Sequence, residues 1–272
     1  MTLTKAVRYS GAPNYRPSGQ VVTLPGISIF TMPSAIPDEL DFYDIDTIQR
    51  YPLGTKLEIG DNTFRYIEFG GTTKAGDLMA AEPPDAAHDD LDPTGSGTGA
   101  GVAVGDKIIS TADTITLVQD EYAGGFMVIE ADTGVGYTYF IESNDAAASN
   151  ALFRIQLGLA IALDSTSDVK LLKSRFKELL IIPTSIDAIP VGISVGVGAD
   201  GSFGWMATKG PWCVLTSGTV LIGEHVRAAG VTTAGAVIAL DRDGTNENEA
   251  EVGKVMDVGP TTEQSLIVLS LE

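Results

Sequence analysis

The chain is poor in the residues from which most catalytic centres are built. Of its 272 residues only two are histidine and one is cysteine. A single cysteine excludes an intrachain disulfide and any Cys-based metal site. Basic residues are scarce too: 17 Lys and Arg stand against 36 Asp and Glu, a formal net charge of −19. Such a surface repels phosphate backbones and anionic headgroups, so neither nucleic acid nor a membrane face is an expected partner. The charge suits a solvated acidic shell, a basic partner, divalent cations or salty surroundings, and composition does not choose among these. Long apolar runs are missing. The longest, residues 155–163, falls well short of the roughly 18 to 20 residues that a membrane helix needs. Residues 1–9 lack the apolar core of a signal peptide. The expectation is a chain made in a cytoplasm and not exported.

What the chain has in quantity is glycine and short apolar stretches. Thirty-one glycines, 13 prolines, 44% hydrophobic and 19% charged residues point to many turns and short strands rather than long amphipathic helices. The expected fold class is mostly β, a short-stranded β-barrel or β-sandwich body with an extended N-terminal arm. Three regions are expected: a Pro-rich arm over residues 1–50, a β-rich domain over 51–190, and a C-terminal barrel-like domain over 191–272, with the boundary between the last two placed near Pro183 to Pro190.

The arm is expected because Pro13, Pro17, Pro25, Pro33 and Pro37 recur through it. Proline removes a backbone donor and blocks both helix and central-strand pairing. Tyr9, Tyr15, Phe30 and Phe42 lie between these prolines and need burial, and Lys5, Arg8 and Arg16 gather there although the chain is acidic. An extended segment laid over another surface satisfies these constraints; a disordered tail is the alternative.

From Leu53 alternation sets in. Residues 54–60 and 63–69 read as a hairpin turning at Gly60, Asp61 and Asn62, and a further strand is expected over 75–79. Residues 82–101 form a loop rich in Pro, Asp and Gly, of a length that is usually functional or mobile. Strands are expected again over 106–110, 113–118, 125–130 and 136–142. The period of two in Ile155, Leu157, Leu159, Ile161 and Leu163 argues for a buried strand. Residues 168–176 suit a short helix or a strand, and 179–182 another strand. Beyond Val191 strands recur: one carries Phe203 and Trp205 and ends at Gly210, and others lie over 220–226, 234–240, 252–258 and 265–271. Cys213, in the apolar run 210–215, is expected to be buried.

Motifs for chemistry are weak. His88 lies among Asp85, Asp89, Asp90 and Asp92, oxygens that could hold Ca²⁺, but the spacing matches no calcium loop. Asp241, Asp243, Gly244 and Asn246 begin like such a loop, with the glycine out of register and no Glu at the twelfth position. No metal site and no cofactor is expected. Gly-x-Ser-x-Gly is absent, and residues 95–101 lack the Gly-Lys-[Ser/Thr] ending of a phosphate cradle. Cys213 with His225, or a Ser with either histidine, has no local support. No catalytic residue is assigned. Trp205 and Trp212, flanking Gly210-Pro211, suit either a core plug or a sugar platform.

Several short stretches together resemble the head decoration or capsid cement proteins of tailed bacteriophages, marine and cyanobacterial ones above all. They are Pro52-Leu53-Gly54-Thr55, Phe64-Arg65-Tyr66, Ala75-Gly76, Gly124-Gly125, Gly134 through Ile141, Pro190-Val191-Gly192-Ile193, Gly204-Trp205, Lys209-Gly210, Val214-Leu215, Gly223 with Val226, Ala234-Gly235-Ala236-Val237, Val252-Gly253 and Ile267 through Leu271. The likeness touches most of residues 52–272. Such proteins often carry Gln two residues after the tryptophan, where Ala207 stands here. The resemblance implies a non-enzymatic virion protein on the outer capsid surface, with the major capsid protein as partner and a homo-oligomer, trimers favoured. On that expectation the arm, through Lys5, Arg8, Tyr9, Tyr15, Arg16, Phe30 and Phe42, bridges neighbouring capsid subunits. The alternative is a carbohydrate-binding module of a head fibre or tail, using Trp205, Trp212 and the 82–101 loop. A third is an enzyme with a carboxylate pair.

Overall fold

In the computed structural model the residues described are 14–15, 19–23, 41–95, 101–112, 115–184, 188–229, 233–240, 250–260 and 263–272. In chain order the first strands are β1 (Asn14–Tyr15), β2 (Val21–Thr23), β3 (Lys56–Ile59), β4 (Asn62–Glu68) and β5 (Leu78–Ala80). Next come β6 (Pro93–Thr94), β7 (Ile108–Thr111), β8 (Phe126–Ala131), β9 (Thr138–Asn144), β10 (Leu152–Ile155) and β11 (Asp168–Leu172). The last are β12 (Leu180–Ile181), β13 (Pro190–Ser194), β14 (Phe203–Leu215), β15 (His225–Ala228), β16 (Val237–Ala239), β17 (Glu251–Asp257) and β18 (Gln264–Ser270). Among the described residues one short helical turn interrupts them, Ala86–His88. The chain is mostly β, and among the described residues every ladder between these strands is antiparallel.

The chain divides into two compact units, and they do not follow the expected boundary near residue 190. Pro83–Ser174 form one unit, inserted into the other, whose described residues lie on both sides of it. The expected boundary fails because β12 and β13 both pair with β5: Leu180 faces Ala80, and Ile193 faces Leu78. The residues after 174 complete a sheet begun before residue 82.

The inserted unit is a six-stranded sheet in the order β11-β8-β9-β10-β7-β6. Met127, Ile129, Ile141, Phe153, Ile155, Val169 and Leu171 alternate along its strands and bury one face. Asp168 to Leu172 resolves the ambiguity between helix and strand in favour of strand. The stretch 155–163 is not one strand. β10 stops at Ile155, and Leu159 and Leu163 instead turn in as backbone partners of Asp106 and Val102. Of the expected strand 113–118, the described residues 115–118 form no strand; Leu117 makes an isolated bridge to Ala147.

The enclosing unit carries a branched twelve-stranded sheet. Its main path runs β1-β2-β3-β4-β14-β18-β17-β15-β16, and β13, β5 and β12 branch from β14. Val22, Leu57, Phe64, Leu78, Ile193, Trp205, Val226, Val237, Val255 and Ile267 come from ten different strands and share one core. The path ends at β1 and β16 without closing, so among the described residues the unit is not a closed barrel. The β3–β4 hairpin forms as expected: Ile59 pairs with Asn62 across Gly60-Asp61, and Gly60 supplies a φ of +56° for the tight turn.

The Pro-rich segment departs from the expected arm at two places. Asn14–Tyr15 and Val21–Thr23 are strands, joined through β2–β3 to the body sheet, and Val22 is buried in the core. Proline is compatible with this because neither β1 nor β2 contains one, and among the described residues β1 ends the path of the sheet. Phe42 also packs against the body core.

Candidate functional surface

The two tryptophans are seven residues apart, an odd spacing that in an unbroken strand would put them on opposite faces. Both nevertheless turn towards the same core. Trp205 and Ala207 belong to it on one side of Thr208, and Trp212 and Val214 on the other. The register against β4 shifts between Ala207 and Lys209, so one extra residue inverts the alternation there. Gly210 completes the irregularity at φ +91°, with Asn62 and the Asp61 carbonyl so close that a Cβ would meet them at 2.2 and 2.6 Å. The strand does not end at Gly210 as expected. It runs on to Leu215, because beyond Lys209 the β4 ladder stops and β18 is the partner, so the missing donor of Pro211 is not needed on that edge.

This bulge decides what is covered and what is bare. Before it, β14 is buried on both faces, Trp205 and Ala207 in the main core and Met206 in a second cluster with Ile67, Phe69, Met79, Leu179 and Val191. After it, Lys209, Pro211, Cys213 and Leu215 lie on the face away from the main core. Cys213 is exposed, against the expectation of a buried thiol, and the inverted alternation is the reason. Its cross-strand neighbour is Leu266, and that of Pro211 is Val268, which in turn pairs with Lys254. A second bulge between Val255 and Asp257 places Met256 beside Leu266 on the same face. Gly223 donates its N–H to the Val255 carbonyl, which sets the turn carrying Leu221 and Ile222 at the end of this strip. Exposure is high: Leu221 65%, Ile222 70%, Met256 54% and Val268 41%. Charges sit at its two ends. Lys209 and Lys254 are exposed at one, and Asp257 and Glu263 at the other. His225, opposite Lys254, is held 2.7 Å from Glu251.

An aromatic cluster lies on the other side of β14. Phe42 stacks on Phe64 at 5.1 Å between centroids and meets Trp212 edge-on at 6.2 Å, and Trp212 meets Phe64 edge-on at 5.3 Å. Tyr43, 58% exposed, lies over Trp212 at 6.4 Å. Phe42 is therefore a clasp on its own body, which corrects its expected role as a partner-facing anchor. Trp205 is only 2% exposed, boxed by Tyr51 and Tyr66. It cannot offer a ring face to a sugar, and of the expected glycan platform only Trp212 is near the surface. Burial pushes the Tyr66 phenol well above the ordinary range, against the Arg50 backbone N–H that donates to its oxygen.

The acidic loop of the inserted unit is ordered by ordinary contacts. The Asp85 side chain caps the Ala86–His88 turn, and His88 is buried with Nδ1 bonded to the Tyr122 hydroxyl. Lys170 lies 2.8 Å from Asp89 and 3.4 Å from Glu130. The Lys170 hydrogen bond holds the Asp89 carboxyl below the usual carboxylate range. Asp168, partly desolvated and facing Asp90, Asp132, Asp92 and Asp89, is pushed above that range. Among the described residues no group of three or more His, Cys, Asp and Glu could hold a metal ion. The second acidic turn, from Asp241 to Asn246, lies outside the described residues, as does most of the glycine run at 95–101. The outer face of this unit carries Phe126 and Phe140, ring centroids 5.1 Å apart, in line with Leu172.

Of the expected arm residues, Lys5, Arg8, Tyr9, Arg16 and Phe30 lie outside the described residues, and only the backbone of Tyr15 is described, in β1. Cys213 and His225 do not pair in chemistry: His225 belongs to Glu251. What sequence reading missed is the bare strip from Leu221 to Val268. Its signal was present in the alternation of Leu266 and Val268, but the strip is aligned with Met256 and Cys213 by two bulges, and the one between Val255 and Asp257 leaves no sequence mark of its own. No protein-family model, curated protein or solved structure matches this chain.

Proposed function

We propose that this chain is a structural, non-enzymatic protein of a virus particle, a capsid decoration or cement protein that attaches to the outer surface of an assembled shell and bridges subunits of the major capsid protein. The observation that carries the reading is the way the N-terminal region is fastened. β1 and β2 join the edge of the body sheet, and Phe42 clasps Phe64 and Trp212. The segments on either side of β1 and β2, with Lys5, Arg8, Tyr9 and Phe30, are thereby tethered to a rigid β body. An adhesive extension on a preordered body loses little ordering entropy on binding a preformed lattice. Basic groups on an otherwise acidic chain suit acidic patches on a shell. The short-motif resemblance to phage decoration proteins points the same way.

The test is co-sedimentation of the purified full-length protein with shells that lack it. Saturable binding at a fixed ratio to the major capsid protein is expected, and removal of residues 1–12, which takes Lys5, Arg8 and Tyr9 but leaves β1, is expected to weaken it at least tenfold. Absence of binding by a folded protein overturns the reading. A second reading, glycan binding on a fibre or tail, keeps one observation in its favour: Tyr43 is exposed over Trp212. Glycan binding lost in Trp212→Ala with the fold intact is its signature.

A further inference from the structure

We propose that the bare strip on β14, β18 and β17 is an isologous interface: two copies of this chain stack it face to face about a two-fold axis that lies in the interface and runs across the strands. The inference concerns the free protein and does not depend on shell attachment.

Three observations converge on a second copy as the occupant. The strip is continuous in register rather than a scatter of single residues: Lys254–Val268–Pro211 form one cross-strand row, and Asp257–Leu266–Cys213 the next, with Met256 at the bulge between them. Leu221 and Ile222 extend it beyond β17, tied there by the Gly223–Val255 hydrogen bond. Contiguous apolar surface of this kind on an otherwise highly charged protein marks a contact site. On a chain of net charge −19 it is a stretch where a second acidic surface can approach without stacking carboxylates against each other.

The charges at its ends are what select a second copy over an unrelated partner. Along β17 Lys254 precedes the apolar centre at Met256, and Asp257 follows it. A two-fold axis crossing the strands near Val255 and Met256 reverses strand direction and sets Lys254 of each copy over Asp257 of the other. Lys209 likewise falls towards the acidic end that holds Glu263. A patch whose charges are antisymmetric about its own centre is complementary to itself, which is the defining property of an isologous contact. Parallel stacking would oppose lysine to lysine and aspartate to aspartate. Cys213, in the Asp257 row, is set over Pro211 of the other copy.

Sedimentation equilibrium of the full-length protein tests this directly. The wild type is expected to form a two-copy species. Lys254→Glu and Asp257→Lys, both at exposed positions, are each expected to weaken association at least tenfold, since each variant faces itself with two like-charge pairs. Mixed in equal amounts, the two variants are expected to recover a two-copy species containing one of each, because every pair across the axis is then of opposite sign. Tryptophan fluorescence checks that each variant is folded. A wild type that remains a single copy, a three-copy species, a two-copy species indifferent to both substitutions, or variants that fail to associate when mixed would each overturn the proposal.

Discussion

Deleting residues 1–45 should cost the enclosing unit a large part of its stability, although those residues read as a removable arm. The deletion takes β2 away from β3, and with it the fully buried Val22. It also takes Phe42 off Phe64 and Trp212. Full burial of a valine side chain is worth about 1.5–3 kcal/mol, and a half-buried phenylalanine adds about 1 kcal/mol. Together they come to roughly 2.5–4 kcal/mol before any loss from the uncovered β3 edge. In a domain of this size about 2–4 °C of melting temperature goes with each kcal/mol, so the midpoint should fall by ~10 °C. The right reference is a deletion of residues 1–13, which keeps β1 and β2, so that the difference isolates residues 14–45. Two units make a single unfolding curve ambiguous. Tryptophan emission removes the ambiguity, since both tryptophans, Trp205 and Trp212, belong to the enclosing unit. Equal midpoints for the two deletions would refute the reasoning, and would mean that neither the β2–β3 ladder nor the Phe42 clasp contributes. The result also bears on function, because loss of shell binding in the longer deletion would then report unfolding as well as a missing contact.

Gly210→Ala should destabilise by about 3 kcal/mol or more: a left-handed residue with a Cβ costs ~1–2 kcal/mol, and that Cβ would strike the Asp61 carbonyl, a backbone atom with no freedom to retreat; urea unfolding followed by tryptophan emission measures it. Trp205→Ala should cost ~3–5 kcal/mol, as expected of a large side chain removed from a closed core, whereas Trp212→Ala should cost less because Trp212 is only partly covered. Glu272 offers a pH test. Burial would raise its pKa, but the Arg65 hydrogen bond and charge, 2.5 Å away, hold the carboxyl below the usual range. A lowered folded-state pKa means stability that is present above the unfolded value and lost as pH falls through the folded one. Glu272→Gln should therefore be less stable than wild type by about 1 kcal/mol at neutral pH, with the two curves converging in acid; a constant gap across pH would refute the assignment.

How much of this was legible in the sequence depends on how local each constraint is. The β3–β4 hairpin was readable because alternation on both sides and a glycine turn agree within fifteen residues. The six strands of the inserted unit were found for the most part, since Met127, Ile129 and Ile141 keep a strict period of two. The stretch 155–163 misled because its period of two is real but serves another purpose: Leu159 and Leu163 are buried from a bent, irregular backbone bound to residues 102–106, not from a strand. The division into units was illegible. Nothing in residues 75–82 announces that their partners lie a hundred residues later, at Leu180 and Ile193. The Pro-rich segment was misread in part for a related reason. Proline excludes central strands but permits edge strands, and whether a segment finds an edge is decided by the rest of the fold.

The strip on β14, β18 and β17 shows the same limit at its sharpest. Read as an unbroken strand, the sequence Trp205 through Leu215 assigns Trp205, Ala207, Lys209, Pro211 and Cys213 to one face, so that a charged Lys209 shares a core with Trp205 and Trp212 is left outside. One inserted residue at Thr208 resolves that conflict: Lys209 goes out, Trp212 and Val214 go in, and Cys213 is carried to the surface with Pro211. The tandem Gly-Pro at 210 and 211 is the sequence trace of this event, a left-handed residue followed by one without a donor, at the position where one ladder ends and another begins. The same step that saves the core leaves Pro211, Cys213, Leu266, Val268 and Met256 together on the outer face. Lys254 and Asp257 at its two ends give that face a direction, and a directed apolar face on so acidic a chain is better matched by its own reversed copy than by a partner of uniform charge.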